Sequence, residues 1–346
     1  MMSLTSPPRS GLHILAAGPG VTLQDGGRRG LLRFGVTTAG PMDRLAFATA
    51  NAAAQARHDA TAIEVSLGGI DVMAEGATVT VAIAGGDFRM ALDGHDWTGA
   101  ARVRLDPHAR LAVRPGSRGV WCYLAVVGRI AIPPALGSTA THVRSALGGL
   151  KGTALQAGDF LPIDDPQALE PSLSALMAPW LERPGNVIRV ILGPQEDYFA
   201  AEQITAFING PWTISTRSDR MAYQLEGPRL RHAKGFNILS DGIALGAIQV
   251  PGEGQPLVLM ADRQPTGGYP KIATVIGADL GKFAQLRPGT QLRFEAVSLA
   301  EAVEARRAQA RLLERPIGLE PLVRTEFPSE FLLGLNLVDG VVGITE

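Results

Sequence analysis

Leu155-Gln156-Ala157-Gly158-Asp159-Phe160-Leu161-Pro162-Ile163 and Leu286-Arg287-Pro288-Gly289-Thr290-Gln291-Leu292-Arg293-Phe294 follow one pattern, Leu-x-x-Gly-x-x-Leu-x-apolar. A glycine turn leading into an alternating segment reads as the entry to a half-buried strand. Other features recur in the same order. Ile14 runs into Gly18-Pro19 and Val187 into Gly193-Pro194; mid-segment strand-turns follow at Glu64-Val65-Ser66-Leu67-Gly68-Gly69 and Tyr223-Gln224-Leu225-Glu226-Gly227-Pro228. The ordering indicates a diverged internal repeat, and a chain of 346 residues has room for two domains. Short alternating segments such as Thr78–Ala84 and Arg110–Arg114, each ending on glycine or proline, predict a mainly β protein of sandwich or barrel type. The expected units are 12–165 and 185–296, with a proline-rich linker over 166–184 and a helix and tail over 297–346 packing on the body.

Two helices are legible. Gly40-Pro41-Met42-Asp43 opens one, and Leu45 to Gln55 is alanine-rich. Ser298 with Glu301 forms a capping box for the other, whose predicted apolar face is Leu299, Ala302, Val303, Ala310 and Leu313, with Pro316 as its stop.

Composition limits the function classes. Hydrophobic residues make up 46% and charged residues 19%, so real cores are possible. A formal net charge of -1 gives no reason to expect nucleic acid or an anionic membrane as partner. No apolar run approaches the ~18 residues of a membrane span, and the polar Met1–Ser10 segment lacks a signal-peptide core. A cytoplasmic protein is expected. The single cysteine, Cys122, reads as a buried, inert thiol.

The densest chemistry lies in Asp262-Arg263-Gln264-Pro265-Thr266-Gly267-Gly268-Tyr269-Pro270-Lys271, after the apolar strand Leu257–Ala261. Adjacent glycines permit close backbone approach to a ligand. Arg263 and Lys271 suit a carboxylate or phosphate, and Asp262 or Tyr269 can move a proton. A polar hairpin with a glycine turn is the competing reading. Gln24-Asp25-Gly26-Gly27-Arg28 repeats the same grammar, with a solvated Asp-Gly turn as its alternative. Ser218-Asp219-Arg220-Met221 fits a structural ion pair as well as a site. No P-loop exists, since Gly277-Ala278-Asp279-Leu280-Gly281-Lys282-Phe283 has the wrong spacing. No Gly-x-Ser-x-Gly elbow, zinc-type histidine spacing or Met-Lys-Met biotin acceptor is present.

These clusters in this order resemble the biotin-dependent carboxyltransferase-like family, also called allophanate hydrolase subunit 2. It includes the C subunit of bacterial 5-oxoprolinase and part of the urea carboxylase carboxyltransferase domain. The resemblance runs from about Leu12 to Val342. It is carried by Thr22–Asp25, Arg28 and Gly30; Gly35-Val36; Gly40–Asp43; Ala50-Asn51; Ile63–Val65; Leu136–Ser138; Gly158-Asp159; Ser218–Met221; Gly246–Pro251 and Asp262–Lys271.

The resemblance implies two tandem cyclophilin-like β-barrels with a few helices. It also implies a companion chain like allophanate hydrolase subunit 1 or the B subunit of 5-oxoprolinase, with a protein like the 5-oxoprolinase A subunit as a further partner. Its implied activities are ATP-dependent opening of the cyclic amide 5-oxoproline to glutamate, with the isolated chain inactive, or carboxyl transfer from biotin carried on another protein to a urea or amide nitrogen. A third implied role is that of a non-catalytic regulatory subunit binding a kinase-inhibitor partner. ATP is used by the complex, at no position assignable on this chain. The site residues carried over are Asp262, Lys271, Tyr269 and Asp25 as catalytic groups. Gln24, Arg28, Met42, Asp43, Arg263, Gln264, Thr266, Gly267, Gly268, Asp219 and Arg220 would bind substrate. The Asp262–Lys271 loop is expected to face Gln24-Asp25-Arg28 or a partner chain. The chain departs from the family pattern at Pro265, at Asp241 in place of glutamate, at Thr139-Ala140-Thr141 and at Arg129.

Overall fold

Strand Ile70–Glu75 buries Ile70, Val72 and Ala74 and turns the residues between them outward, as expected of a strand with one face on a core. In the computed structural model, which describes residues 10–322, it sits near the middle of a seven-stranded sheet. That sheet runs Arg129–Ile130, Phe160–Asp164, Gly11–Ala17, Ile70–Glu75, Arg110–Pro115, Phe88–Leu92 and His95–Thr98. A second seven-stranded sheet orders Thr22–Gln24, Ala62–Val65, Cys122–Val126, Val79–Gly85, Ala101–Leu105, Leu173–Met177 and Gly318–Pro321. Leu12, Ile14, Ile63, Val72, Val81, Phe88, Leu111 and Leu124 fill the core between them.

The second half closes seven strands into a barrel in the order Val187–Leu192, Lys271–Val275, Ala247–Gln249, Leu257–Leu259, Ala222–Glu226, Trp212–Ile214 and Gln291–Ala296. The mainly β expectation therefore holds. Both glycines of the repeated motif have positive φ, +89° at Gly158 and +84° at Gly289, so the turn itself requires glycine. The strands that follow both pair with the first strand of their half. The directions differ: Leu12 lies opposite Leu161 in an antiparallel pair, and Ile188 opposite Phe294 in a parallel one.

Helix α1 (Arg44–Ala53) and the strand Cys122–Val126 join the halves. Cys122, Leu124 and Val126 face the first core. Tyr123 and Ala125 face a second apolar cluster that runs from Ala46, Phe47 and Ala50 to Val190, Trp212 and Phe294 inside the barrel. Burial on both faces explains why this strand reads as an unbroken apolar run. Cys122 is 1% exposed, and burial pushes its thiol up to about 12. A thiol reagent at pH 8 should leave the native chain unlabelled while labelling the denatured chain fully. Fast native labelling would contradict this packing.

The stretch read as a linker holds the strand Leu173–Met177, which pairs with Ala101–Leu105 inside the second sheet. Helices α2 (Ala201–Asn209) and α3 (Leu280–Ala284) have no counterpart in the sequence reading. The capping box of α4 (Leu299–Leu313) is present. Its predicted apolar face is not: Ala302 is buried, but Leu299 is 68% and Val303 40% exposed. Small residues, Ala302 and Ala305, make the contact with Ile276 and Ala278. The tail returns as far as Gly318–Pro321, with Ile317 and Leu319 packed on the core. The remainder of the predicted tail, like Met1–Arg9, lies outside the described residues. Among the described residues no helix is long and apolar enough to cross a membrane.

Candidate active site

The Asp262–Lys271 segment divides into two ends with different surroundings. Asp262 and Arg263 are buried at the junction of the halves; Gln264, Thr266 and Tyr269 are exposed; Lys271 is buried at the barrel.

At the junction end, Arg220 grips Asp262 with two parallel bonds, Nε to Oδ2 at 2.9 Å and Nη2 to Oδ1 at 2.8 Å. Its Nη1 donates to Glu64 Oε1, and Nη2 also reaches the Gly40 carbonyl at 2.8 Å. Glu64 Oε2 accepts from the Met42 N–H and the Tyr123 hydroxyl, both at 2.8 Å. Burial pushes the Glu64 carboxyl up, against Arg220, Met42 and Tyr123, which all favour the carboxylate. Arg220 itself is held above its ordinary value, the pull of Asp262 and Glu64 outweighing burial. Both Asp262 oxygens are thus engaged by a guanidinium, a positioning geometry rather than that of a free base.

Gln24 joins the same network. Its Oε1 accepts from the Gly40 N–H at 3.0 Å, so Gly40 links it to Arg220 and Asp262. Asp25 and Arg28 instead hold the segment 135–141. Asp25 accepts from Ser138 Oγ at 2.5 Å and from the Thr139 N–H at 2.7 Å. Arg28 donates to the carbonyls of Ala135, Ser138 and Ala140. Among the described residues the loop meets the Gln24 cluster through Asp262, whose charge also reaches Arg28.

Asp43 is fully buried. It caps α1 through Ala46 and takes Arg183 and Gln285 on its oxygens. Burial alone would raise it, but these partners hold it below the usual carboxylate range. Met42 places its side chain in the core. Asp219 receives the Met221 and Ala222 N–H groups and an exposed contact from Arg144. Arg263 donates to the Ile243 carbonyl at 3.0 Å, and burial, with Arg44 nearby, brings it down to about 10.

The other end is a compact donor site. Lys271 starts a barrel strand, and its Nζ lies 2.8 Å from Asp241 Oδ2. The hydrogen bond from Lys271 holds Asp241 below its ordinary value. The Lys271 N–H donates to Gln195 Oε1 at 3.1 Å. Gln249 sits directly opposite Lys271 across the sheet, and Asp241 opposite Gly267. Gln249 is buried, yet among the described residues its Nε2 has no hydrogen-bond partner. A Cβ on Gly267 would lie 2.6 Å from that nitrogen, so only glycine leaves the amide its place.

Sequence reasoning does not single out Glu64, Tyr123, Gln195 and Gln249, which the structure adds to these two clusters. Glu64 carries a signal, a lone acid inside the apolar strand Ala62–Val65, and Gln249 lies in the Gly246–Pro251 segment that carries the family resemblance. Asp241 stands out in the sequence solely as a departure from the family pattern.

A lysine ammonium, a free amide N–H and a diglycine backbone at one barrel mouth can hold a carbonyl or carboxylate oxygen and stabilise charge developing on it. Fold and site together define a β-rich protein with a closed seven-stranded barrel and a buried lysine held at the start of one of its strands. A profile described as carboxyltransferase domain, subdomain A and B, matches residues 34–296, and the chain belongs to that family. It is 37% identical to the C subunit of 5-oxoprolinase from Haemophilus influenzae over 306 residues, covering 88% of this chain and 97% of that protein. Identity to the Escherichia coli K12 protein of the same name is 38% over 305 residues, with the same coverage. The crystal structure of the K. lactis urea amidolyase superposes with a TM-score of 0.83 at 28% identity, covering 90% of this chain and 20% of that one.

Proposed function

We propose that this chain is the C subunit of a 5-oxoprolinase-type complex and contributes the Lys271 site to the opening of a cyclic amide. The observation that carries this reading is likeness along almost the whole of two C subunits, 97% of each at 37–38% identity. In this reading Lys271 Nζ and Gln249 Nε2 receive the amide oxygen as negative charge builds on it. Asp241 and Gln195 fix Lys271 in place, and Gly267 leaves the Gln249 amide room beside it. The Arg220 network keeps the two halves in register around the site. ATP is consumed by the assembled complex, whose other chains are of the 5-oxoprolinase A and B types.

A second reading, carboxyl transfer from biotin on another protein to an amide nitrogen, is favoured by the superposition on urea amidolyase. The two share the same oxyanion-stabilising role for Lys271. Purification of this chain with its B-like and A-like partners, and assay of ATP-dependent glutamate formation from 5-oxoproline, tests the proposal. Turnover should require this chain together with its partners. Tight partner binding without turnover of any amide would favour a non-catalytic role instead.

A further inference from the structure

Arg44 is the first residue of α1. With Leu45 it forms one wall of a cavity of about 230 Å³, and α4 supplies the other with Arg306, Arg307 and Gln309. Together with Ala310 and Leu313, three arginines line this one small space. Among the described residues none of them has a carboxylate within ion-pair distance, because the nearby acids are already engaged. Asp43 takes Arg183, Asp279 takes Arg189 and Glu304 takes Arg311. Among the described residues Arg306 donates to the neutral Gln309 amide, and Arg44 Nε is buried with no hydrogen-bond partner.

Arginine does not shed its proton to relieve such crowding. Burial, and then the like charges of Arg29 and Arg306, hold Arg44 below its ordinary value. Arg263 feels Arg44 in the same way. Arg307 feels Glu304, but Arg44 and Arg306 have no ion-pair partner among the described residues. Such crowded cations are unfavourable in the free protein and become favourable when an anion enters.

We propose that this cavity binds a phosphoryl group. A carboxylate matches one arginine fork, whereas a tetrahedral, multiply charged phosphoryl group can accept from several at once. The cavity is smaller than the ~300–1,000 Å³ of pockets that enclose a whole drug-sized ligand, which suits a phosphoryl group rather than an entire phosphorylated molecule. A neighbouring cavity of about 610 Å³ shares Leu45 and Gln309 with it and contains Trp180 and Lys282. It offers room for the rest of such a molecule. The cavity shares no residue with the Lys271 site, so its failure would leave the proposed reaction untouched.

The test is thermal unfolding and calorimetric titration of the full chain with inorganic phosphate, pyrophosphate and ATP at constant ionic strength. The expected result is a saturable rise in melting temperature with pyrophosphate or ATP. Affinity should fall at least about tenfold in Arg44→Met and in Arg306→Met, the loss of one charge-assisted contact, and stay unchanged in Arg33→Met. Without anion, Arg44→Met should melt no lower than the wild type, because a repelled charge has been removed. ATP binding tighter than pyrophosphate identifies a phosphorylated molecule reaching the larger cavity; equal binding identifies the free anion. Should Arg44→Met fail to fold, the Arg306→Met/Arg307→Met pair on the exposed side of α4 decides. No saturable effect of any of the three anions, or one unchanged in these variants, overturns the proposal.

Discussion

Lys271→Met is expected to lower turnover of the reconstituted complex by roughly 10²–10³-fold, the usual cost of removing one preorganised oxyanion donor, while the melting temperature stays close to that of the wild type. The two effects separate because of where the ion pair sits. The Lys271 side chain is 3% exposed and its partner Asp241 53% exposed, so a freed Asp241 returns to water. Methionine keeps the length and the apolar stem of lysine and fills the same place in the strand. The Asp241 carboxyl lies below its ordinary value, so the pair persists above the usual carboxylate range and is lost only as pH falls through the lowered value. Mild acid should therefore spare this contact. Turnover above about a tenth of wild type in Lys271→Met would remove Lys271 from the chemistry.

Arg220→Met is expected to act on stability, by about 3–5 kcal/mol, because it strands two buried carboxylates at once. Glu64 is wholly buried and Asp262 nearly so, and among the described residues Arg220 is the cation that bridges them. That loss is a large share of the ~5–15 kcal/mol that holds a typical domain together. Its pH dependence has a definite sign. Burial already raises the Glu64 carboxyl, and removing Arg220 raises it further. A raised carboxyl favours the folded state at low pH and loses that contribution as pH rises through its folded value. The deficit should therefore be smaller at pH 5 than at pH 8. A urea titration showing less than about 1 kcal/mol of change, the range of an exposed pair, would mean that the junction does not depend on this arginine.

The same two residues mark how far the sequence can be read. Glycine turns, β-branched alternation and the Ser298–Glu301 box are local signals, and the strands and helix they announce are present. Lys271 is legible because polar groups crowd around a diglycine. The network at Arg220 is not, because it gathers Gly40, Glu64, Tyr123 and Asp262 from segments far apart in the chain. Asp262 looks like a free acid beside a glycine loop, and only the fold shows its oxygens filled. Asp43 looks like a substrate ligand, yet it is sealed beneath Arg183 and Gln285. Gln249 lies in a segment that carries the family resemblance, but its place beside Lys271 does not show there, since an unpartnered amide is visible only once burial is known. Leu299 and Val303 fit a helical face by spacing, but α4 packs through alanines instead.

Ring opening of 5-oxoproline at the Lys271 site, rather than transfer of a biotin-borne carboxyl, is open to one direct measurement. It compares ATP consumption by the reconstituted complex with 5-oxoproline and with urea, each in the presence and absence of avidin. The predicted result is 5-oxoproline-dependent glutamate formation that avidin leaves unchanged and Lys271→Met removes. Urea-dependent ATP consumption that avidin abolishes, with no glutamate from 5-oxoproline, would contradict it.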